Sequence, residues 1–184
     1  MRAIDVRDLL ETPGSSRTVH VEEPVPGLRT ELADVPEDTP IAADLTLESV
    51  VEGIFVRGSL EGRFAMRCAR CLKTFERDFD VEMTELVPRE PGPDDDYALE
   101  PDLTLDPEPI VRDAVVLEMP FSPLCRPDCL GLCEICGGDR NLGECPGHEV
   151  TDPRWDALDV LLNHVDARPD EGVSDGGDRT TTTR

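Results

Sequence analysis

The sequence predicts an α+β fold: an antiparallel β-meander or partly closed sheet, a few short helices, and a C-terminal cysteine-rich segment. Three observations carry this. Residues 41–88 hold consecutive runs with a two-residue hydrophobic period, as strands do when one face covers a core. Residues 107–119 change to a helical period between two prolines, the pattern of a bounded helix. Five of seven cysteines then fall between 125 and 145, at spacings suited to a tetrahedral ion, so the segment is expected to bind zinc.

Taken in order, residues 1–11 suggest a short helix, because Ile4, Val6, Leu9 and Leu10 do not alternate, and Pro13-Gly14 ends it. Arg17 to Val25 reads as a strand, with Val19, Val21 and Val25 on one parity and prolines at its end. Runs at 43–48, 50–57, 59–67 and 75–87 follow, with Gly53, Gly58 and Gly62 read as punctuation. In the last run Phe75, Phe79, Val81, Met83 and Val87 share one face, while Glu76, Asp78, Asp80 and Glu82 share the other. Residues 88–109 are rich in Pro, Asp and Glu and suggest a mobile solvated loop. In the helix that follows, Ile110, Val111, Ala114, Val115 and Leu117 form the apolar stripe. Asp152 opens a second short helix that packs through Trp155, Leu158, Leu161 and Leu162. The resulting organisation is a β-rich domain over 1–120, a zinc-binding segment with its helix over 121–165, and a disordered tail over 166–184.

The chain has 184 residues, 38% of them hydrophobic and only 4% aromatic, so its core must be mainly aliphatic. Its 41 acids outweigh 18 bases to give a net charge of −23. That field excludes generic electrostatic attachment to nucleic acid or to anionic membranes. The first residues lack the apolar region of a signal peptide, and no run approaches the roughly 20 apolar residues of a membrane helix. The expected location is therefore cytoplasmic, where thiols stay reduced. An odd cysteine count also fits poorly with a closed disulfide set.

Cys68-Ala69-Arg70-Cys71 falls between two predicted strands, where a two-residue spacing lets both sulfurs face one ion. A redox pair has the same spacing but is normally activated at a helix N-terminus, whereas these flanks are hairpin-like. The second group is Cys125-x3-Cys129-x3-Cys133-x2-Cys136-x8-Cys145-x2-His148. Cys133, Cys136, Cys145 and His148 make one complete ligand set, and Gly137 permits a knuckle turn whose N–H groups face sulfur. That leaves Cys68, Cys71, Cys125 and Cys129 for a second set, so eight ligands fill two sites. The rival pairing puts Cys125, Cys129, Cys133 and Cys136 on one ion and leaves the first pair incomplete; a single zinc with spare thiols is the third possibility. His20 and His164 have no sequence partners and are expected on the surface.

Arg63, Arg67, Arg70, Lys73 and Arg77 crowd around the first cysteine pair. One cause is local, because a tetrathiolate zinc carries about −2 charge and draws cations around it. The other is functional: Arg63, Arg67, Arg70 and Lys73 on a rigid tip could touch phosphate.

Cys68-Ala69-Arg70-Cys71-Leu72, Leu117-Glu118-Met119-Pro120, Leu124-Cys125, Cys129-Leu130-Gly131-Leu132-Cys133, Cys136-Gly137, Asn141-Leu142, Cys145 and Asp152-Pro153-Arg154-Trp155 occur in that order. The series resembles the YceD-like family of large ribosomal RNA subunit accumulation proteins. Leu130 stands where a basic residue is common there, and Glu134 where proline is common. The resemblance implies a non-enzymatic, cytoplasmic factor that supports 23S rRNA synthesis, processing or stability and assembly of the large ribosomal subunit. Its expected partners are 23S rRNA or its precursor and a basic large-subunit ribosomal protein, with no membrane and no small-molecule substrate. The alternative is an acidic chaperone for such a basic protein, with the 90–108 loop holding the client. A metallo-nuclease is disfavoured, since closed thiolate sites leave no position for an activated water.

Overall fold

A computed structural model describes residues 1–148 and Arg154, and the chain divides into two units, Met1–Cys145 and Pro146–Arg184. The first unit begins with β1 (Ile4–Asp5), α1 (Arg7–Glu11), β2 (Ser16–Glu23), β3 (Ala33–Asp34) and β4 (Ile41–Ser49). It continues through β5 (Gly53–Arg67), β6 (Thr74–Pro88), β7 (Thr104–Leu105), α2 (Glu108–Glu118) and a 3-10 turn at Arg140–Leu142. The helix expected from Asp152 and the tail from 166 lie outside the described residues.

The meander is real, and its spine is β5. One side of β5 pairs with β6 along all of its length; the other pairs with β4 over Ile54–Glu61 and with β3 at Ala65 and Met66. β2 lies outside β4, all pairings are antiparallel, and the five-stranded sheet does not close. The runs read as two strands, 50–57 and 59–67, are the single strand β5. Gly58 and Gly62 lie inside it, because the sheet needs close approach there rather than a turn. A Cβ on Gly58 would lie 2.0 Å from the Asp44 carbonyl oxygen, and one on Gly62 2.5 Å from the Phe79 ring. That ring stacks on Phe64 with centroids 4.3 Å apart.

The inner face carries Ile41, Ala43, Leu45 and Leu47 of β4, Ile54, Val56, Leu60 and Phe64 of β5, and Phe79, Met83 and Val87 of β6, all buried. Alternation along each strand selects this set. α2 covers it with Ile110, Val111 and Val115, giving a helix-on-sheet core. Leu117, expected on this stripe, is instead 85% exposed; it falls about 90° around the helix from the centre of the buried arc.

The acidic 88–109 stretch is not uniformly solvated. Tyr97, Leu99 and Leu103 pack against the core, the Tyr97 hydroxyl donates to Asp113 of α2 at 2.9 Å, and Leu105 is buried where β7 pairs with β1. Spaced apolar residues dock the second half, although the composition is that of a loop.

Candidate metal centres

Cys68 and Cys71 occupy the turn between β5 and β6. The Cys68 N–H donates to the Lys73 carbonyl at 2.9 Å, and the Leu72 N–H donates back to the Cys68 carbonyl at 2.9 Å. Cys133 repeats this arrangement: its N–H donates to Gly138 at 2.9 Å, and Gly137 donates back to Cys133 at 2.8 Å. In both turns the residue after the second cysteine is left-handed, with φ of 60° at Leu72 and 71° at Gly137. The two Cys-x2-Cys turns are thus the same knuckle, although only the second has the glycine that makes its backbone easy to recognise.

The hairpin tip is clasped by the segment that follows α2. The Ala69 N–H donates to the Pro123 carbonyl at 2.8 Å, and the Leu132 N–H to the Arg70 carbonyl at 3.0 Å. Gly131, with φ of 74°, fits against this tip; a Cβ there would meet the Arg70 carbonyl oxygen at 2.9 Å. Cys125 and Cys129 are thereby delivered to the first pair. The sulfurs of Cys68, Cys71, Cys125 and Cys129 all lie within 4.8 Å of one another. Cys68 and Cys129 are 3.8 Å apart, and Cys71 and Cys125 are 3.7 Å apart. Bonds of about 2.3 Å to a central zinc give a tetrahedron with edges of about 3.8 Å, so the spacing fits that ion. Cys68, Cys71 and Cys129 are buried.

The thiols of this set respond to one another. Burial alone would raise Cys68, but backbone N–H groups of Cys125, Cys71 and Arg70 facing its sulfur bring it down to about 6. Cys125 is pushed up to about 12, by burial and by the neighbouring sulfurs of Cys71, Cys68 and Cys129. One thiolate is easy here and further ones are resisted, a conflict that a divalent cation resolves. The Asn141 amide also points at the Cys129 sulfur, at 3.6 Å.

In the second set, the sulfurs of Cys133, Cys136 and Cys145 likewise lie within 4.8 Å of one another. N–H groups of Cys136 and Ile135 lower the Cys133 thiol to about 7. His148 follows three residues after Cys145, in the second unit. Between the sets lies Asp139, a buried carboxylate that sequence reading missed. It accepts from the Asn141 backbone N–H and side-chain amide, both at 2.8 Å, and forms an ion pair with Lys73 at 2.7 Å. These donors, Lys73 first, hold it at about 2. The available signal was Asp139-x-Asn141 after a knuckle, an Asx turn that starts the 3-10 helix.

The basic island is largely engaged within the protein. Arg63 pairs with Asp78 at 2.8 Å and Glu76 at 3.4 Å, Lys73 holds Asp139, and Arg70 donates to the Cys129 carbonyl at 2.8 Å. Arg67 is exposed. His20 is an exposed strand residue 2.9 Å from Asp44, and His164 lies outside the described residues.

An open antiparallel sheet backed by a helix, with two thiol clusters able to hold metal ions, defines an α+β protein organised around cysteine knuckles. A family model described as large ribosomal RNA subunit accumulation protein YceD matches residues 56–162, and the chain belongs to that family. It is 37% identical over 168 residues to an uncharacterized protein of Mycobacterium tuberculosis, covering 86% of this chain and 80% of the relative. It is 31% identical over 167 residues to one of Mycobacterium leprae, covering 86% and 76%. No solved structure matches it significantly. Among the described residues, no helix is long and apolar enough to cross a membrane.

Proposed function

We propose that this protein is a non-enzymatic, zinc-stabilised cytoplasmic factor that supports accumulation of 23S rRNA and assembly of the large ribosomal subunit. Family membership supports the rRNA role. The observation that carries the zinc assignment is the pair of matching knuckles, one of them closed by a four-sulfur set with tetrahedral spacing. Cys68, Cys71, Cys125 and Cys129 would hold one structural zinc; Cys133, Cys136, Cys145 and, by its spacing, His148 would hold the other. Zinc here supplies rigidity. Contact with rRNA or its precursor would come from Arg67 at the tip, with Arg63, Arg70 and Lys73 fixing the surface around it.

Elemental analysis of purified protein should find two zinc ions per chain, and one would overturn the eight-ligand scheme. In cells, a Cys68→Ser/Cys71→Ser variant should fail to restore 23S rRNA levels, with crosslinks to precursor rRNA lost in parallel. Normal rRNA with the metal-free variant would overturn the reading.

A second reading, an acidic holder of a basic large-subunit ribosomal protein, is favoured by the row of exposed acids on β6. Pull-downs at two salt concentrations separate the readings: the holder retains a basic client that salt removes, and the rRNA factor retains crosslinks to RNA.

A further inference from the structure

Among the described residues, β6 is bonded along one side only. The Cys68 N–H reaches the Lys73 carbonyl, and the register continues without a slip from Met66↔Phe75 to Ile54↔Val87. Antiparallel ladders alternate, so the odd residues of β6 bond to β5 and the even ones turn their N–H and C=O groups outward. Glu76, Asp78, Asp80, Glu82 and Thr84 therefore present backbone to an open edge, where no strand pairs with them among the described residues. Their side chains are all exposed.

The charge on this outer face is only partly balanced. Arg63 serves Asp78 and Glu76. Glu61 stands directly across the ladder from Asp80, and like charges in that position destabilise a sheet. Among the described residues, Glu61, Asp80 and Glu82 have no ion-pair partner. The acids border a groove of about 610 Å³ lined by Pro36, Pro40, Glu61, Arg63, Asp78 and Asp80.

An added strand would lie about 4.8 Å from β6. Its residues opposite Glu76, Asp78, Asp80 and Glu82 would put their side chains on the same face as those acids. Lys or Arg at every second position would match the row, and a long side chain crossing β6 would enter the groove between Glu61 and Asp80. A second copy of this acidic strand is repelled by the same row, and so is RNA. We propose that the outer edge of β6 binds an extended basic peptide of a partner protein by strand addition, reading a pattern of alternating cationic residues. This deepens the basic-client reading above by naming the surface and the pattern, and it places the client on β6 instead of the 90–108 loop.

The test is fluorescence anisotropy on the full chain with a short labelled peptide alternating Lys or Arg with Val or Thr. Two control peptides have the same composition with the charges in one block, or N-methyl groups on the amides that would face β6. The alternating peptide should bind tightest. N-methylation should weaken it on the order of a hundredfold, since each lost ladder bond costs about fivefold. On the protein, Asp80→Asn removes charge and should weaken binding about threefold. Asp80→Pro also removes the outward N–H, leaves the β5 ladder intact, and should weaken it about tenfold or more. Equal binding of alternating, blocked and N-methylated peptides would overturn the edge proposal and leave the basic-client reading standing. No binding by any basic peptide would overturn both. An RNA oligomer captured at this edge, or a dimer dissolved by Asp80→Pro, would assign the edge to another occupant and overturn the proposal.

Discussion

An alanine at Gly58 would place its Cβ 2.0 Å from a backbone oxygen, whereas at Gly62 the obstacle is a side-chain ring 2.5 Å away. Backbone in a paired strand cannot yield, but a ring can tilt. Gly58→Ala is therefore expected to cost more than about 3 kcal/mol and Gly62→Ala about 1–3 kcal/mol, read from urea midpoints. Leu72 presents the opposite case. It holds a left-handed turn at φ 60° with its side chain 54% exposed, so Leu72→Gly relieves strain and loses little contact. A gain of roughly 0.5 kcal/mol is expected after the entropy of glycine is offset. Lys73 and Asp139 join the hairpin tip to the second knuckle. Lys73→Met or Asp139→Asn should speed release of zinc from the second thiol set to a chelating dye, with the sheet unchanged by circular dichroism.

The strands and α2 were legible as elements because alternation and helical period mark one buried face, and the β5–β6 tip was legible from Cys68-x2-Cys71. Other features were hidden for physical reasons. Two glycines inside β5 look like turn residues until the neighbouring strand and ring show why a Cβ is excluded. β1, β3 and β7 are two residues each, too short for any period to register. The first knuckle lacks its glycine, and the link from Asp139 to the hairpin tip runs through Lys73, which is remote in sequence. Tyr97 illustrates how a composition-defined loop becomes structure: burial and its bond to Asp113 push the phenol up to about 12. The folded pKa lies above the unfolded value of about 10. This contribution is therefore complete below about pH 10 and is lost as pH rises through 12. Tyr97 is the one tyrosine in the chain, so phenolate absorbance after rapid pH jumps reports it alone. Asp113→Asn should move the midpoint back toward 10.

Across the whole molecule, the apolar core and the thiol cluster are separate bodies of buried residues. One runs through the sheet, α1 and α2; the other joins Cys68, Cys71 and Cys129, with Phe75 packed against both. Removing metal should therefore leave the sheet folded and open only the clasp. Hydrogen exchange after chelation is expected to accelerate at the Ala69 and Leu132 amides and to stay slow at Leu45 and Val56. Uniform acceleration would show that the metal supports the sheet as well. The net charge of −23 acts at this scale too. It repels polyanions in general, so under the proposed rRNA role contact with RNA would be confined to the knuckle surface and depend on its shape.

The clasp also imposes an order on synthesis. Cys68 and Cys129 are 61 residues apart, so at roughly 5–20 residues per second the ribosome exposes the first knuckle some 3–12 s before its last ligand. During that interval the nascent hairpin carries two thiols and half a coordination shell. A chain stalled or cut before residue 129 can pair its strands but cannot complete this four-thiol set, so under the zinc assignment ion capture at the clasp would be a late check that translation has passed the helix.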